Sequence, residues 1–465
     1  MTSHPAQLGP GNLAWAAQRP LPRREPATGL ATFLRWKPLE ISFAVALLTG
    51  VWRFQMFLPV IAKLQIPLLA SGAAIGLFVM RGGSRDLSRA VRHPVSRWVI
   101  VILGLMLLSV PTSLYPGMSA RAVSIDHARD IILMLLIAAS LRSRASLERL
   151  ALANLFGGVG FCLAVWKYAG IGADGRLGDL GYYDANDFAM MLVCSAPLAV
   201  YFLRRGVPMP VKAFAIATLG VFLYFFVKSG SRGGFLGLLA VSAFMLLRYT
   251  AFSKQARLAT FITASVLLVT IAGNRYWEMM GTLLHPTQDY NWSGHDEGGR
   301  MEVWRRGIGY MLSRPLTGVG VNAFYIAEGT LSPLAERQSR GIGLKWSAAH
   351  NSFVQIGAEL GVLGLVALVM ALWRAAQTLR WLTKLPRGPG RRVLPEVALA
   401  QSLLASLVGF VVAGFFLSQA YSALLYVLLG MVVGLSTVVA RMVATTHPAS
   451  LAGNRRVSGL GPSVR

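Results

Sequence analysis

"KWSAAHNSFVQIGAELGVLGLVALVMALW" occupies Lys345 to Trp373. Behind His350, Asn351 and Ser352 comes a run of about twenty mostly apolar residues, the length at which a helix crosses the hydrocarbon of a bilayer. Ser352 and Gln355 form an S-x-x-Q pattern, a capping box that predicts the helix start without His350. The imidazole is thereby left one turn outside the helix, where a hydrophobic segment begins. Farther along, Gly357, Gly361 and Gly364 predict close packing against a neighbouring helix.

Working outward, the same pattern recurs through the 465 residues. The chain is 54% hydrophobic and only 14% charged, with mean hydropathy +0.54. A soluble domain carries roughly 25% charged residues, so the composition predicts a polytopic membrane protein. Apolar runs broken by charge lie near 39–58, 64–80, 98–114, 128–141, 149–168, 185–203, 211–228, 233–248, 256–273, 352–373, 396–416 and 421–440. They predict an all-α fold of about twelve transmembrane helices. The first pair is crowded by Arg53 and Lys63, and the fourth run is short.

The net charge of +26 would point to nucleic acid in a soluble protein. Here the basic residues sit in short tracts between alternate apolar runs, such as "RGGSRDLSRAVRHPVSR" from Arg81 and "LRSRASLER" from Leu141. That is the distribution of cytoplasmic loops, so the charge reports orientation and no nucleic-acid partner is expected. The division that follows is a cytoplasmic basic tail over 1–38, nine helices over 39–273, an outer loop over 274–349, three helices over 350–440 and a cytoplasmic tail over 441–465. No cleavable signal peptide is expected before about Leu39. Cys162 and Cys194 lie in apolar runs and are expected to act as small apolar residues.

Two outer loops hold the residues that could carry chemistry. In "KSGSRGGFLGLL", Arg232 stands at a hinge between helices, where it either snorkels to headgroups or, with a helix N-terminus, binds an anion such as phosphate. Gly233 and Gly234 would let the backbone approach a ligand, and Ser231 would cap the helix or donate to an oxyanion. Arg300 opens an amphipathic helix in which Trp304, Ile308, Met311 and Leu312 share an apolar face. Arg300, Arg305 and Arg306, each taken alone, read as solvated arginines. Arg176 would bind an anion or pair with Asp174 or Asp179. Those aspartates match no calcium-loop spacing, and Asp184 with Asn186 reads as a helix cap, so no metal is expected. His350, outside its helix on the same face as Arg232 and Arg300, is suited to act as a general base. No nucleotide-binding or hydrolase motif is present, and no cofactor is expected.

Four stretches, in this order, resemble the bacterial O-antigen ligase and polymerase superfamily: "GRLGDLGYYDANDFAMML" from Gly175, "SGSRGGFLGLL" from Ser229, "GRMEVWRRGIGYMLSRPLTGVGVNAF" from Gly299 and "AHNSFVQIGAELGVLG" from Ala349. The resemblance implies a GT-C-like glycosyltransferase of the bacterial inner membrane with its active site on the periplasmic side. It implies a donor glycan on undecaprenyl diphosphate and an acceptor that is lipid A–core, another glycan or a protein. Arg232 and Arg300 would hold the diphosphate, and His350 would act on the acceptor hydroxyl. The reaction would be that of a ligase, a polymerase or a protein O-oligosaccharyltransferase. Twelve spans also suit a lipid-linked oligosaccharide transporter. The gathering of polar candidates at one face and the lack of a half-to-half repeat favour an enzyme.

Overall fold

The computed structural model describes residues 29–170, 172, 176–178, 180–285, 289, 291–292, 298–340, 346–386 and 393–446, and among these it is all-helical with no strand. Each of the twelve apolar runs contains a helix. The principal helices are α1 Pro38–Gly50, α2 Ile66–Met80, α3 Ser84–Arg92, α4 Pro94–Ser109, α5 Ala128–Ser140, α6 Arg144–Tyr168 and α7 Ala185–Phe202. They continue as α8 Met209–Ser229, α9 Arg232–Arg248, α10 Lys254–Ile271, α11 Arg300–Ser313, α12 Ser352–Leu382, α13 Pro395–Gly414 and α14 Ala423–Thr446.

Among the described residues, eight helices are long and apolar enough to cross a membrane, or nine if the bent pair α3–α4 counts as one span. Of the expected dozen, α1, α4, α5 and α9 fall short of that length, being helices of only 13 to 17 residues. The short fourth run has a physical reason. Pro116–Arg121 leads into a π-helical turn over Ala122–His127 that joins α5 directly. Part of that helix is therefore polar, and an apolar count misses it. α3 is amphipathic, with its basic face outward, and meets α4 at 86°.

The centre of the bundle is α13, packed between α7 and α9 and against α12. Its side chains and those of α14 are mostly buried, whereas α10 buries none and lies at the rim. Cys162 and Cys194 are free and fully buried, as small apolar residues are.

The two ends of the bundle differ in kind. At the end that carries the basic tracts, ion pairs tie helices together. The Arg149 guanidinium holds Glu40 in a fork, Nε on Oε2 and Nη2 on Oε1, both at 2.8 Å. The fully buried Glu148 takes Arg204, the Tyr201 hydroxyl at 2.6 Å and, at 3.4 Å, Arg144. Arg144 also reaches Glu396 at 3.1 Å. Removing one member of a buried pair leaves the other charge desolvated, a loss of about 3–5 kcal/mol. Glu148→Ala is therefore expected to lower the melting temperature of the detergent-purified protein by several degrees, and an unchanged melting curve would show that the cluster contributes nothing to stability.

Candidate active site

The other end gathers the loops named by the sequence. It is built around the start of α12, and that start differs from the expected capping box. Asn351 is the cap, its Oδ1 accepting from the backbone N–H of Phe353 at 2.9 Å and of Val354 at 3.0 Å. Ser352 and Gln355 are turned to another task. Ser352 Oγ donates to Leu417 O and accepts from Gln419 N, and Gln355 Oε1 accepts from Ala420 N. The capping box is displaced because both side chains are needed to staple the α13–α14 loop onto α12.

His350 precedes this cap with φ at 46°, in the left-handed region that costs a non-glycine residue roughly 1–2 kcal/mol. Strain of this kind persists where the surroundings over-determine it, typically at functional sites. The fixing contacts here are the His350 N–H on Ser418 Oγ at 2.8 Å and the Trp304 indole N–H on Ala349 O at 2.9 Å.

α12 is also not continuous. Gly361 breaks it with φ 74° and ψ −173°. The strap that follows α11 lies across the break: Val362 N donates to Pro315 O at 2.9 Å, Val319 N to Ala358 O at 2.9 Å and Gly320 N to Glu359 O at 3.0 Å. A broken helix leaves backbone groups open, and the strap satisfies them. A Cβ at Gly361 would stand 2.3 Å from Pro315 O. Gly361 thus serves the break, not the helix–helix approach expected of it. Gly357 does serve that approach, against Met311 of α11.

Arg232 is the first residue of α9. Its guanidinium makes an ion pair with Asp289 and donates to Thr282 Oγ1 at 2.8 Å. Asp289 in turn accepts from the backbone and side-chain nitrogens of Asn291, each at 2.8 Å, and Asn291 O accepts from Met301 N at 3.2 Å. A hydrogen-bonded chain therefore runs from Arg232 to the first turn of α11, where Arg300 stands. Trp292 closes the gap, its ring 5.4 Å from Trp304 and 6.0 Å from Phe416.

The remaining sequence candidates fall on both sides of expectation. Ser231 is a fully buried cap that accepts from Gly234 N at 3.0 Å, so of its two expected roles the structure gives it the structural one. Gly233 and Gly234 face Phe416 and Ala189 closely enough that a Cβ would stand 2.8 Å away; they admit the α13–α14 loop and α7. Arg176 donates to Ser229 O at 2.8 Å and to Asn186 Oδ1 at 2.9 Å, bracing its loop against the α8–α9 hinge. Its expected partners Asp174 and Asp179 lie outside the described residues. Asp184 caps α7 as expected, accepting from Asn186 N and Asp187 N. Among the described residues, no group of three or more His, Cys, Asp or Glu side chains could hold a metal ion.

α11 packs on the bundle through a second face, beside the expected apolar one. Val303, Gly307 and Tyr310 are buried while Ile308 and Leu312 are exposed. Arg306, expected to be solvated, is instead forked onto the buried Glu328, with Nη2 on Oε2 at 2.6 Å, and Tyr310 donates to the same carboxylate. Burial pulls the Arg306 pKa down, and the Glu328 contact more than offsets this, leaving it raised. Arg305 does point outward.

Arg232, Arg300 and His350 are thus joined through Asp289, Asn291, Trp292, Trp304 and Ser418, of which the sequence singled out Trp304 alone, and only as part of an apolar face. No curated protein matches the chain. Residues 217–369, about a third of the chain, match the family model described as O-antigen ligase, a match that includes Ser231, Arg232, Arg300 and His350 but not Arg176. That match supports membership of the O-antigen ligase-like superfamily.

Proposed function

We propose that the chain is a membrane glycosyltransferase that moves a glycan from an undecaprenyl-diphosphate carrier to an acceptor hydroxyl on the periplasmic face of the bacterial inner membrane, acting as an O-antigen ligase. The observation that carries this reading is His350, held in a strained conformation by Ser418, with the Arg232–Asp289–Asn291 chain nearby.

The donor brings its own leaving group, so the protein has two tasks. As the acceptor oxygen bonds to the anomeric carbon, the bond from that carbon to the diphosphate oxygen breaks and the diphosphate leaves with its charge. Arg232 and Arg300 stabilise that charge as preorganised cations. The acceptor hydroxyl loses its proton to His350, a neutral imidazole serving as base. No nucleotide or metal enters this scheme. The apolar bundle is needed because the carrier is a lipid, which fixes the reacting diphosphate at the membrane surface.

The test is a gel of lipopolysaccharide from the source strain with this gene deleted. Core without polymer, with polymer accumulating on its lipid carrier, is the expected result. Core bearing a single repeat would assign a polymerase instead. An unchanged gel would exclude both and move the search to protein acceptors.

A further inference from the structure

Beside His350 lies a small polar cleft of about 100 Å³, open to the outside. Its walls come from well-separated parts of the chain: Arg53 after α1, Asp126 and His127 on the π-helical turn, Tyr182 before α7, and Asn322 and Ser418 from two late loops. Ser418 is the residue that holds the His350 N–H, so the cleft and the candidate base share a wall.

Three features mark the cleft as built. Four non-glycine residues have positive φ among the described residues; Arg53 and Asn322 line the cleft and His350 adjoins it. Such backbone is uncommon outside functional sites. A π-helical turn, itself rare and frequent at functional sites, carries Asp126 and His127. His127 is nine-tenths buried, its ring 4.7 Å from that of Tyr421, and its Nε2 has no hydrogen-bond partner among the described residues. A buried nitrogen of this kind calls for a partner.

The chemistry of the lining says which ligand fits. In the cleft, Asp126 and Asp130 are balanced by two guanidiniums: Arg53, which lies 3.7 Å over the Tyr182 ring, and Arg129, paired with Asp130 at 2.9 Å. Burial works to lower the Arg53 pKa, and the surrounding Tyr182, Tyr183, Asp130 and Asp126 outweigh it and leave it raised. A diphosphate would find the cations here already matched by carboxylates. A neutral polyol would meet acceptors, donors and an exposed aromatic face, the set that hydrogen-bonds hydroxyls and covers a sugar ring.

We propose that this cleft is the acceptor subsite, binding the terminal sugar of the acceptor glycan so that one of its hydroxyls reaches His350. The assignment rests on the glycosyltransferase reading above. It divides the site by charge: the anionic donor lies with Arg232 and Arg300, the uncharged acceptor sugar with Asp126, His127 and Tyr182. The α13–α14 loop runs between the two, with Phe416 against Gly233 and Trp292 at one end and Ser418 in the cleft at the other.

The test uses the full-length protein in detergent, lipid-linked glycan from the deletion strain as donor, and lipid A–core from the same strain as acceptor. Asp126→Asn and Tyr182→Ala are both at half-buried or exposed positions and are compared with wild type. Losing one charged hydrogen bond to a ligand is expected to raise the acceptor KM by roughly tenfold, with donor KM and kcat close to wild type. Core oligosaccharide stripped of lipid A should compete with the acceptor, and compete about tenfold more weakly against either variant. An unchanged acceptor KM in both variants, or a raised donor KM instead, would overturn the subsite while leaving the enzyme reading intact. Failure of wild type to transfer glycan at all would overturn that reading, and the subsite with it.

Discussion

His350→Asn is expected to lower glycan transfer by ~10²–10⁴-fold, the usual worth of a positioned general base, without loss of protein from the membrane. Asparagine is the informative replacement because of the backbone. His350 has φ 46°, and asparagine adopts that region readily where alanine is penalised. The N–H on Ser418 Oγ and the indole bond from Trp304 to Ala349 both use main-chain atoms of this segment, so the variant keeps them. What it loses is the ring. The check is initial transfer rate against pH with wild type alongside, at matched protein levels. A positioned base predicts that the wild-type rate falls at acid pH as the imidazole gains its proton, and that the residual rate of the variant lacks that limb. A variant that melts early would mean that the imidazole packs rather than reacts. Full activity in a stable variant would remove His350 from the mechanism.

The membrane class and the helical segments were legible in the sequence because both follow from the length of apolar runs. What was not legible depends on contacts between segments far apart. Asp289 carries no local pattern that marks it as the partner of Arg232, and its neighbours in sequence are polar for no visible reason. The loop containing Phe416 and Ser418 sits between two ordinary apolar runs, yet it forms one wall of the site. Arg53 was visible only as a charge disturbing the first pair of helices. Asp126 and His127 fell just outside a run judged short, and the π turn that brings them to the cleft has no sequence signature. The capping box at Ser352 and Gln355 misled for a related reason. Local propensity favoured those side chains as caps, and a tertiary need for three backbone contacts to the next loop prevailed.

The same distinction between local and tertiary meaning decides what Arg232 does. Its ion pair with Asp289 admits two accounts: a brace for the outer loop, or a cation held ready for the diphosphate. Arg232→Ala alone cannot separate them, since both predict a loss. As one preorganised donor to a developing anion, Arg232 is expected to be worth ~10²–10³-fold in kcat. Exchanging the pair, Arg232→Asp with Asp289→Arg, restores a contact of the same kind between the same positions. If the pair is only a brace, the exchanged protein should recover most of the activity that Arg232→Asp loses. If Arg232 holds the leaving group, the exchange should recover the melting temperature of the purified protein and not the rate, because a carboxylate then faces the diphosphate from the start of α9. Lysine at 232 should fall between, keeping the charge but not the fork that grips phosphate oxygens in pairs. The result that would sink the diphosphate role is recovery of rate and stability together in the exchanged protein, for then position 232 would matter only through its partner.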